Sequence, residues 1–398
     1  MKAFKYRIYP TVKQERALVR TLETCRHLYN TALDSRIQCY KQGKSLSYVD
    51  LANALSGQPN EWQSQVHSQV LQDTLKRLDK AYANFFRRCK EKQEGKITKV
   101  GFPRFKGKDR YHSFCYPQKG FRFDEKRITL SKIAVDIKLK YSRAVEGKVK
   151  TCTVLRDVDQ WFVVLTCDNE VPMFKNGKPE VGVDVGLTSL AVLSDGTVID
   201  NPRTLKRSEK KLAKTQRRLS RKVLGSANRN QQRVEVARVH RRIRRQRSDF
   251  LHKLSTKLVD NYGCITFEDL NIRGMLKNHC LAKHISDASW NQLIALTQNK
   301  AESAGSEVRL VNPRGTSQKC SQCGAVVKKT LADRVHNCPH CGLVMDRDLN
   351  ASHNISMAGR ARNYSCGDST STLKDCLSKQ AGSQKQESPI ARSERATA

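Results

Sequence analysis

The sequence predicts an α/β multidomain protein. Three patterns lead there: strict apolar/polar alternation at the start of the chain, which returns between residues 101 and 167; helical spacing of apolar residues in between; and a second strand-rich region from about residue 179, interrupted by a long basic stretch. A chain of 398 residues can hold two or three domains and bury a sizeable core.

In Lys2–Tyr9, Phe4, Tyr6 and Ile8 face one way and Lys5 and Arg7 the other, the pattern of a half-buried strand that Pro10 ends. Thr11 and Gln14 form a capping box, and Leu18, Leu22, Cys25, Leu28 and Tyr29 follow at helical spacing. A second helix carries Leu71, Leu75, Leu78, Tyr82, Phe85 and Phe86, with Arg87 and Arg88 beside them; these aromatics read as core, and the two helices as a helical lobe over residues 11–96. From Gly101 the period changes to two, and Ile128–Leu130, Ile133–Leu139, Thr151–Val154 and Trp161–Thr166 read as strands. They predict a β-barrel over residues 1–10 and 97–178, with the N-terminal strand as its first member and the helical lobe as an insertion.

Val181–Leu187 is an apolar strand broken by one carboxylate, Asp184, and Ala191–Leu193 and Thr197–Ile199 continue an antiparallel meander. Residues 203–247 then hold 18 basic and 2 acidic residues, with Leu205, Leu212 and Leu219 as an apolar seam and a turn at Gly225–Asn228. The expected element is a helical hairpin over 203–258. Its one-signed charge, including Arg241, Arg242, Arg244 and Arg245, favours a bound polyanion over a merely solvated face. Tyr262–Phe267 reads as a strand ending at Glu268, Trp290–Ala304 as a helix, Val308–Val311 as a strand and Leu349–Ser356 as a helix, which together give a domain over 179–315 and 343–358. Residues 359–398, poor in large apolar groups, read as a disordered tail.

The 74 Lys and Arg against 38 Asp and Glu give a formal net charge of +36, which points to nucleic acid as partner. No run approaches the ~20 apolar residues of a membrane span. The N-terminus has no apolar signal core, and the scattered cysteines fit a reducing, cytoplasmic compartment.

Cys320 and Cys323, then Cys338 and Cys341, offer four thiolates with the spacing of a structural Zn²⁺ knuckle over residues 316–342; His336 and His340 read as surface residues there. Directly after the knuckle stands Asp346-Arg347-Asp348. Asp184 in mid-strand, Glu268 at a strand end and Asp348 at a helix start are the residue types that hold Mg²⁺ for phosphodiester hydrolysis. Asp346 competes with Asp348 for the third place, and Asp348, nearer the expected helix, is preferred; an N-cap is the plainer role open to it.

On these residues the chain resembles the TnpB proteins of bacterial transposons, RuvC-like nucleases similar to the type V CRISPR effectors. The matching pieces are Tyr6-Arg7-Ile8-Tyr9-Pro10-Thr11, Gly101-Phe102-Pro103-Arg104-Phe105-Lys106, Gly182-Val183-Asp184-Val185-Gly186, Phe267-Glu268-Asp269-Leu270, the cysteine pairs and Asp346-Arg347-Asp348-Leu349-Asn350-Ala351. The resemblance implies an RNase H-like (RuvC) nuclease domain with a zinc-knuckle insertion and a wedge-like barrel. It implies that Asp184, Glu268 and Asp348 are the catalytic triad. It also implies a guide RNA from the transposon end and double-stranded target DNA cut beside a short adjacent motif. Tyr48, Gln72 and Tyr116 fall where contacts to that motif would be expected. Ser352 stands where the family has alanine, a small change expected to be harmless. A non-catalytic regulator of transposition and a strand-transferring transposase are the rival readings, and protein partners are left unassigned.

Overall fold

The computed structural model describes residues 1–57, 60–96, 99–108, 110–168, 177–330 and 333–364, so most of the expected tail, from residue 365, lies outside the described residues. The chain divides into two units, residues 1–170 with 222–238, and residues 171–221 with 239–398. No described helix is long and apolar enough to cross a membrane.

The first unit begins with β1 (Lys2–Tyr9), α1 (Val12–Lys41), α2 (Tyr48–Gly57), α3 (Glu61–Ser64) and α4 (Ser68–Gln93). It continues through β2 (Ser113–Tyr116), β3 (Phe121–Phe123), β4 (Arg127–Leu130), β5 (Ile137–Lys140), β6 (Lys148–Asp157) and β7 (Gln160–Asp168). The seven strands form one sheet in the order β2-β6-β7-β1-β5-β4-β3, with β1 antiparallel to both β7 and β5. Phe4, Tyr6 and Ile8 are buried, as alternation requires. The Thr11/Gln14 capping box is formed, and α1 and α4 share the core through Leu18, Leu22, Leu28, Leu71, Leu75 and Leu78. Among the described residues β2 and β3 share no ladder. The edges meet instead through side chains: the Tyr116 ring lies 6.5 Å from Phe121, and its hydroxyl donates to the Ser131 carbonyl at 3.0 Å.

Two expectations for this unit are corrected. The strand placed at Ile133–Leu139 starts only at Ile137, because Lys132 and Val135 adopt φ of 67° and 65° and turn the chain between them. The aromatics read as core are only partly so. Phe85 and Tyr82 pack edge-on against Phe102, with ring centroids 5.2 and 5.6 Å apart, while Phe86, beyond the last buried leucine of α4, is 61 % exposed.

The second unit contains β8 (Glu180–Val185), β9 (Ser189–Leu193), β10 (Val198–Asp200), α5 (Thr204–Ser220) and α6 (Ala227–Asn261), the last with its first turns in the other unit. After these come β11 (Cys264–Glu268), α7 (Ile272–Met275), α8 (Ala282–Ala288), α9 (Trp290–Ala304), β12 (Glu307–Val311), β13 (Val335–Asn337), β14 (Val344–Asp346) and α10 (Arg347–Tyr364). The sheet order is β10-β9-β8-β11-β12: a three-strand antiparallel meander, then two strands parallel to β8. Val181, Val183 and Val185 point into a core with Leu251, Leu254, Leu258, Trp290 and Leu293. The period of two then sends Gly182 and Asp184 to the opposite face.

That opposite face receives α10. A Cβ on Gly182 would fall 2.1 Å from the Ser352 carbonyl oxygen and 2.5 Å from the Ser356 amide nitrogen, so helix backbone rests almost directly on strand backbone. Farther along α10, a Cβ on Gly359 would meet the Thr266 side chain of β11 at 2.3 Å. The expectation that the ordered chain ends before residue 359 is therefore corrected: α10 continues to Tyr364, because Gly359 packs on β11, its carbonyl accepts from Arg309 at 3.0 Å, and Arg360 pairs with Glu180 at 2.9 Å.

Gly182→Ala cannot be accommodated without lifting α10 off the sheet. It should destabilise the unit by at least the ~1–3 kcal/mol of ordinary overpacking, read as a lower denaturant midpoint. An unchanged midpoint would contradict this packing.

Candidate active site and metal centre

Asp184 stands on β8 two residues after Gly182, on the face covered by α10. The parallel register pairs Val183 with Phe267, and one more step brings Asp184 beside Glu268 at the end of β11. Ser352 and Ser356 lie over Gly182, and Asp348 lies one helical turn before Ser352, so α10 delivers its carboxylate to the same end of the same strands.

The electrostatics record this convergence. Burial pushes the Asp184 carboxyl up to about 8, aided by the charges of Glu268, Asp348 and Asp346 and opposed by Arg347. Glu268, 8 % exposed, is also raised by burial, against a hydrogen bond from the Thr316 hydroxyl. A group of carboxylates in which one retains its proton near neutrality is short of positive charge. All-oxygen donors of this kind fit a hard divalent cation. Among the described residues, only the four cysteines gather three or more ligand atoms within 4.8 Å; the carboxylates are spread wider than the ~4.2 Å across one Mg²⁺ ion.

The structure gives Asp346 and Asp348 different local roles. Asp346 accepts the backbone N–H groups of Asp348 at 2.8 Å and Leu349 at 3.1 Å, so it caps α10 from an exposed position. Asp348 is thereby released from the capping role; its charged neighbours are Arg347 at 3.4 Å and Arg334 at 4.0 Å. Ser352 is fully buried and returns its hydroxyl to the Leu349 carbonyl at 2.7 Å.

In the knuckle, the Cys320–Cys341 and Cys323–Cys338 sulfurs are each 3.6 Å apart, and all four lie within 4.8 Å of one another. A tetrahedron with ~2.3 Å metal–sulfur bonds has edges of about 3.8 Å, so the cluster could hold a metal ion. Two equivalent turns build it: Gly324 and Gly342 follow the second cysteine of each pair at φ of 74° and 70°, and their N–H groups return to the carbonyls of Cys320 and Cys338. His340 is exposed, but the surface position expected for His336 is wrong: its side chain is fully buried, with Nδ1 against Lys329. The short β13–β14 ribbon turns its ring inward.

Sequence reading missed the two side chains that join knuckle to helix. Asn350, fully buried, donates to the Lys319 carbonyl at 2.8 Å and accepts the Ser321 N–H at 2.9 Å. Asn354 donates to the carbonyls of Thr316 and Lys319 at 2.8 and 2.7 Å. Their spacing of four on one helix was the available signal.

The expected nucleic-acid contacts fare unevenly. Tyr48 opens α2, half-exposed beneath Lys76, and Gln72 is half-buried on α4. Tyr116 is corrected: at 1 % exposure, with its hydroxyl satisfied by Ser131, it belongs to the core. Arg242, Arg244 and Arg245 are exposed on α6, whereas Arg241 on the same helix is 8 % exposed and presents little surface.

The raised Asp184 carboxyl has a pH signature. The folded protein keeps a proton that the unfolded chain releases above its ordinary value near ~3.9, so stability falls as pH rises from there to about 8, by at most about 1.4 kcal/mol per pH unit, and levels off beyond. Denaturant unfolding of metal-free protein across that window should show the decline, and Asp184→Asn should reduce it.

Three family profiles match in chain order: a helix-turn-helix domain over residues 1–45, OrfB_IS605, described as a probable transposase, over 163–279, and the TNB domain of Cas12f1-like proteins over 290–355. The first of these regions holds one strand and a single long helix here. A protein of Streptomyces pristinaespiralis provisionally named RNA-guided DNA endonuclease is 40 % identical over 382 residues, covering 92 % of this chain and 91 % of its own. InsQ of Escherichia coli, with the same provisional name, is 33 % identical over 393 residues, covering 92 % and 94 %. A TnpB-like protein of Acanthamoeba polyphaga mimivirus is 27 % identical over 240 residues, covering 56 % of this chain and 46 % of its own. Among solved structures, the Cas12f1–sgRNA–target DNA complex aligns with a TM-score of 0.34 at 16 % identity, over 89 % of this chain and 98 % of that one. The mini-RNA-guided endonuclease CRISPR-Cas_phi3 aligns at 0.46 and 10 %, over 90 % and 92 %. With relatives so similar along nearly its whole length, the chain belongs to the TnpB family.

Proposed function

We propose that this protein is an RNA-guided DNA endonuclease of a bacterial transposon, acting in the cytosol with a guide RNA from the element's end on double-stranded DNA beside a short adjacent motif. The observation that supports this reading is that Asp184 and Glu268 stand on neighbouring parallel strands, on the face covered by the helix that carries Asp348, and that the charges of Glu268 and Asp348 act on Asp184. An antiparallel meander followed by two parallel strands, with a helix across the face, is the frame of an RNase H-like (RuvC) domain. The seven-strand sheet of the first unit is taken as the wedge-like barrel and its helices as the recognition lobe.

In this reading the three carboxylates would hold Mg²⁺, which would supply an activated water and a counter-charge for the leaving oxygen. Asp184 holds its proton near neutrality, so a cation bound there would have to displace it, and cation affinity would rise with pH. The four cysteines hold a structural Zn²⁺ that fixes the knuckle and, through it, the start of α10. Exposed Arg242, Arg244 and Arg245 neutralise phosphates, and base pairing with the guide supplies sequence choice.

Three outcomes are expected. Purified protein carries a discrete RNA from the flank of its element and cuts DNA complementary to it, while Asp184→Ala retains the RNA and loses cutting by at least a hundredfold (about 2.7 kcal/mol). Sequencing the bound RNA and assaying programmed DNA check both; absence of a discrete RNA overturns the reading. Alanine at Arg242, Arg244 and Arg245 together lowers the slope of log affinity against log salt by roughly 0.7–0.9 per lost phosphate contact. Cys338→Ser protein loses zinc by elemental analysis, and its α10 exchanges amide hydrogens faster.

A further inference from the structure

Glu268 is held less completely than its position demands. It is 8 % exposed and has three side-chain torsions, yet among the described residues the Thr316 hydroxyl is the only hydrogen-bond donor to its carboxylate. Thr316 lies on the segment from β12 to the first knuckle cysteine and is itself 8 % exposed. Its Oγ1 is also 3.1 Å from the Pro313 carbonyl. A hydroxyl carries one proton, and an ionised carboxylate is the stronger acceptor, so the bond to Glu268 prevails when Glu268 is charged.

The other side of Thr316 is anchored. Its carbonyl accepts from Asn354 at 2.8 Å, and the same amide nitrogen reaches the Lys319 carbonyl at 2.7 Å. Asn350 also donates to Lys319, at 2.8 Å, and accepts from Ser321 at 2.9 Å. Lys319 and Ser321 flank Cys320, which is 1 % exposed. A continuous path of hydrogen bonds thus runs from the first cysteine turn, through two buried side chains of α10, to Thr316 and on to Glu268. The helix that carries Asp348 and the segment that steers Glu268 are held by the same pair of asparagines.

Building on the nuclease reading, we propose that Thr316 is a positioning residue for Glu268, fixing the carboxylate in the orientation that receives a divalent cation, and that the cysteine knuckle holds Thr316 in place for this purpose. The hydroxyl touches neither DNA nor the reacting phosphate; it acts through Glu268. A carboxylate turned by its supporting hydrogen bond is an outer-shell contact, and loss of such contacts weakens metal binding by roughly 10–100-fold.

The test compares Thr316→Val, which keeps the shape and removes the hydroxyl, with Thr316→Ser, which restores it. The full chain is titrated with Mn²⁺, and binding at the acidic site is taken as the part lost in Asp184→Ala, read from the spin-resonance signal of free Mn²⁺. Thr316→Val should weaken this binding roughly tenfold or more and raise the Mg²⁺ needed for half-maximal cutting in parallel, while Thr316→Ser stays near the parent on both measures. Parent-like Mn²⁺ affinity in Thr316→Val overturns the proposal. So does an equal loss in Thr316→Ser, which would mark a purely structural residue, and so does a parent protein with no Mn²⁺ binding at this site. A parent that binds Mn²⁺ but never cuts DNA refutes the nuclease reading alone, and the Mn²⁺ comparison still decides the role of Thr316.

Discussion

The second unit depends on one close approach, that of α10 to β8 at Gly182. Helices usually stand off a sheet by the thickness of two layers of side chains; here the Ser352 carbonyl occupies the place a Cβ would take. The contact fixes both the height and the axial position of the helix. Because Gly182 and Asp184 share one face of the strand, and Asp348 and Ser352 lie one turn apart on the helix, the fit that seats serine over glycine also brings aspartate toward aspartate. A small residue at 352 follows from the same geometry, and serine satisfies it by folding its hydroxyl onto its own helix.

Regions with strong periodicity were legible in the sequence. β1, the α1 capping box, β8 and α9 follow from period and capping chemistry, and the first two carboxylates stand out because a charge in an apolar strand needs a reason. What was not legible depends on contacts distant in sequence. Tyr116 sits in an alternating segment that leaves its facing undecided until β2 pairs with β6. Residues 359–364 have a tail-like composition, and only the fit of Gly359 against Thr266 shows why helix continues there. His336 lies among polar residues and is buried by a two-strand ribbon too short to announce itself. The paired glycines after Cys323 and Cys341 were visible in the sequence, and they show both knuckle turns to be built alike.

The aromatic end of α4 teaches a related lesson. Helical spacing predicts that Leu71, Leu75 and Leu78 share a face with Tyr82, Phe85 and Phe86, and it cannot say where the partner surface stops. The leucines are buried, whereas Phe86, Phe102 and Phe105 are 61, 46 and 54 % exposed. Period gives the direction in which a side chain points; burial also requires that another element extend that far.

The acidic face carries an electrostatic cost. Three carboxylates brought together by backbone geometry repel one another, and burial removes the water that would have screened them, so one keeps its proton near neutrality. A strand with valine or leucine at 184 would avoid this penalty. The fold instead surrounds the charge with devices that serve position: glycine where the helix must touch the strand, an aspartate at 346 that takes over capping so that Asp348 is released, and buried asparagines that fix the approach of the knuckle. None of these is needed to make a helix lie on a sheet, for which an apolar stripe suffices. Together they hold three negative groups where an unassisted polypeptide would let them separate, and in the proposed reading a divalent cation would turn this repulsion into binding energy.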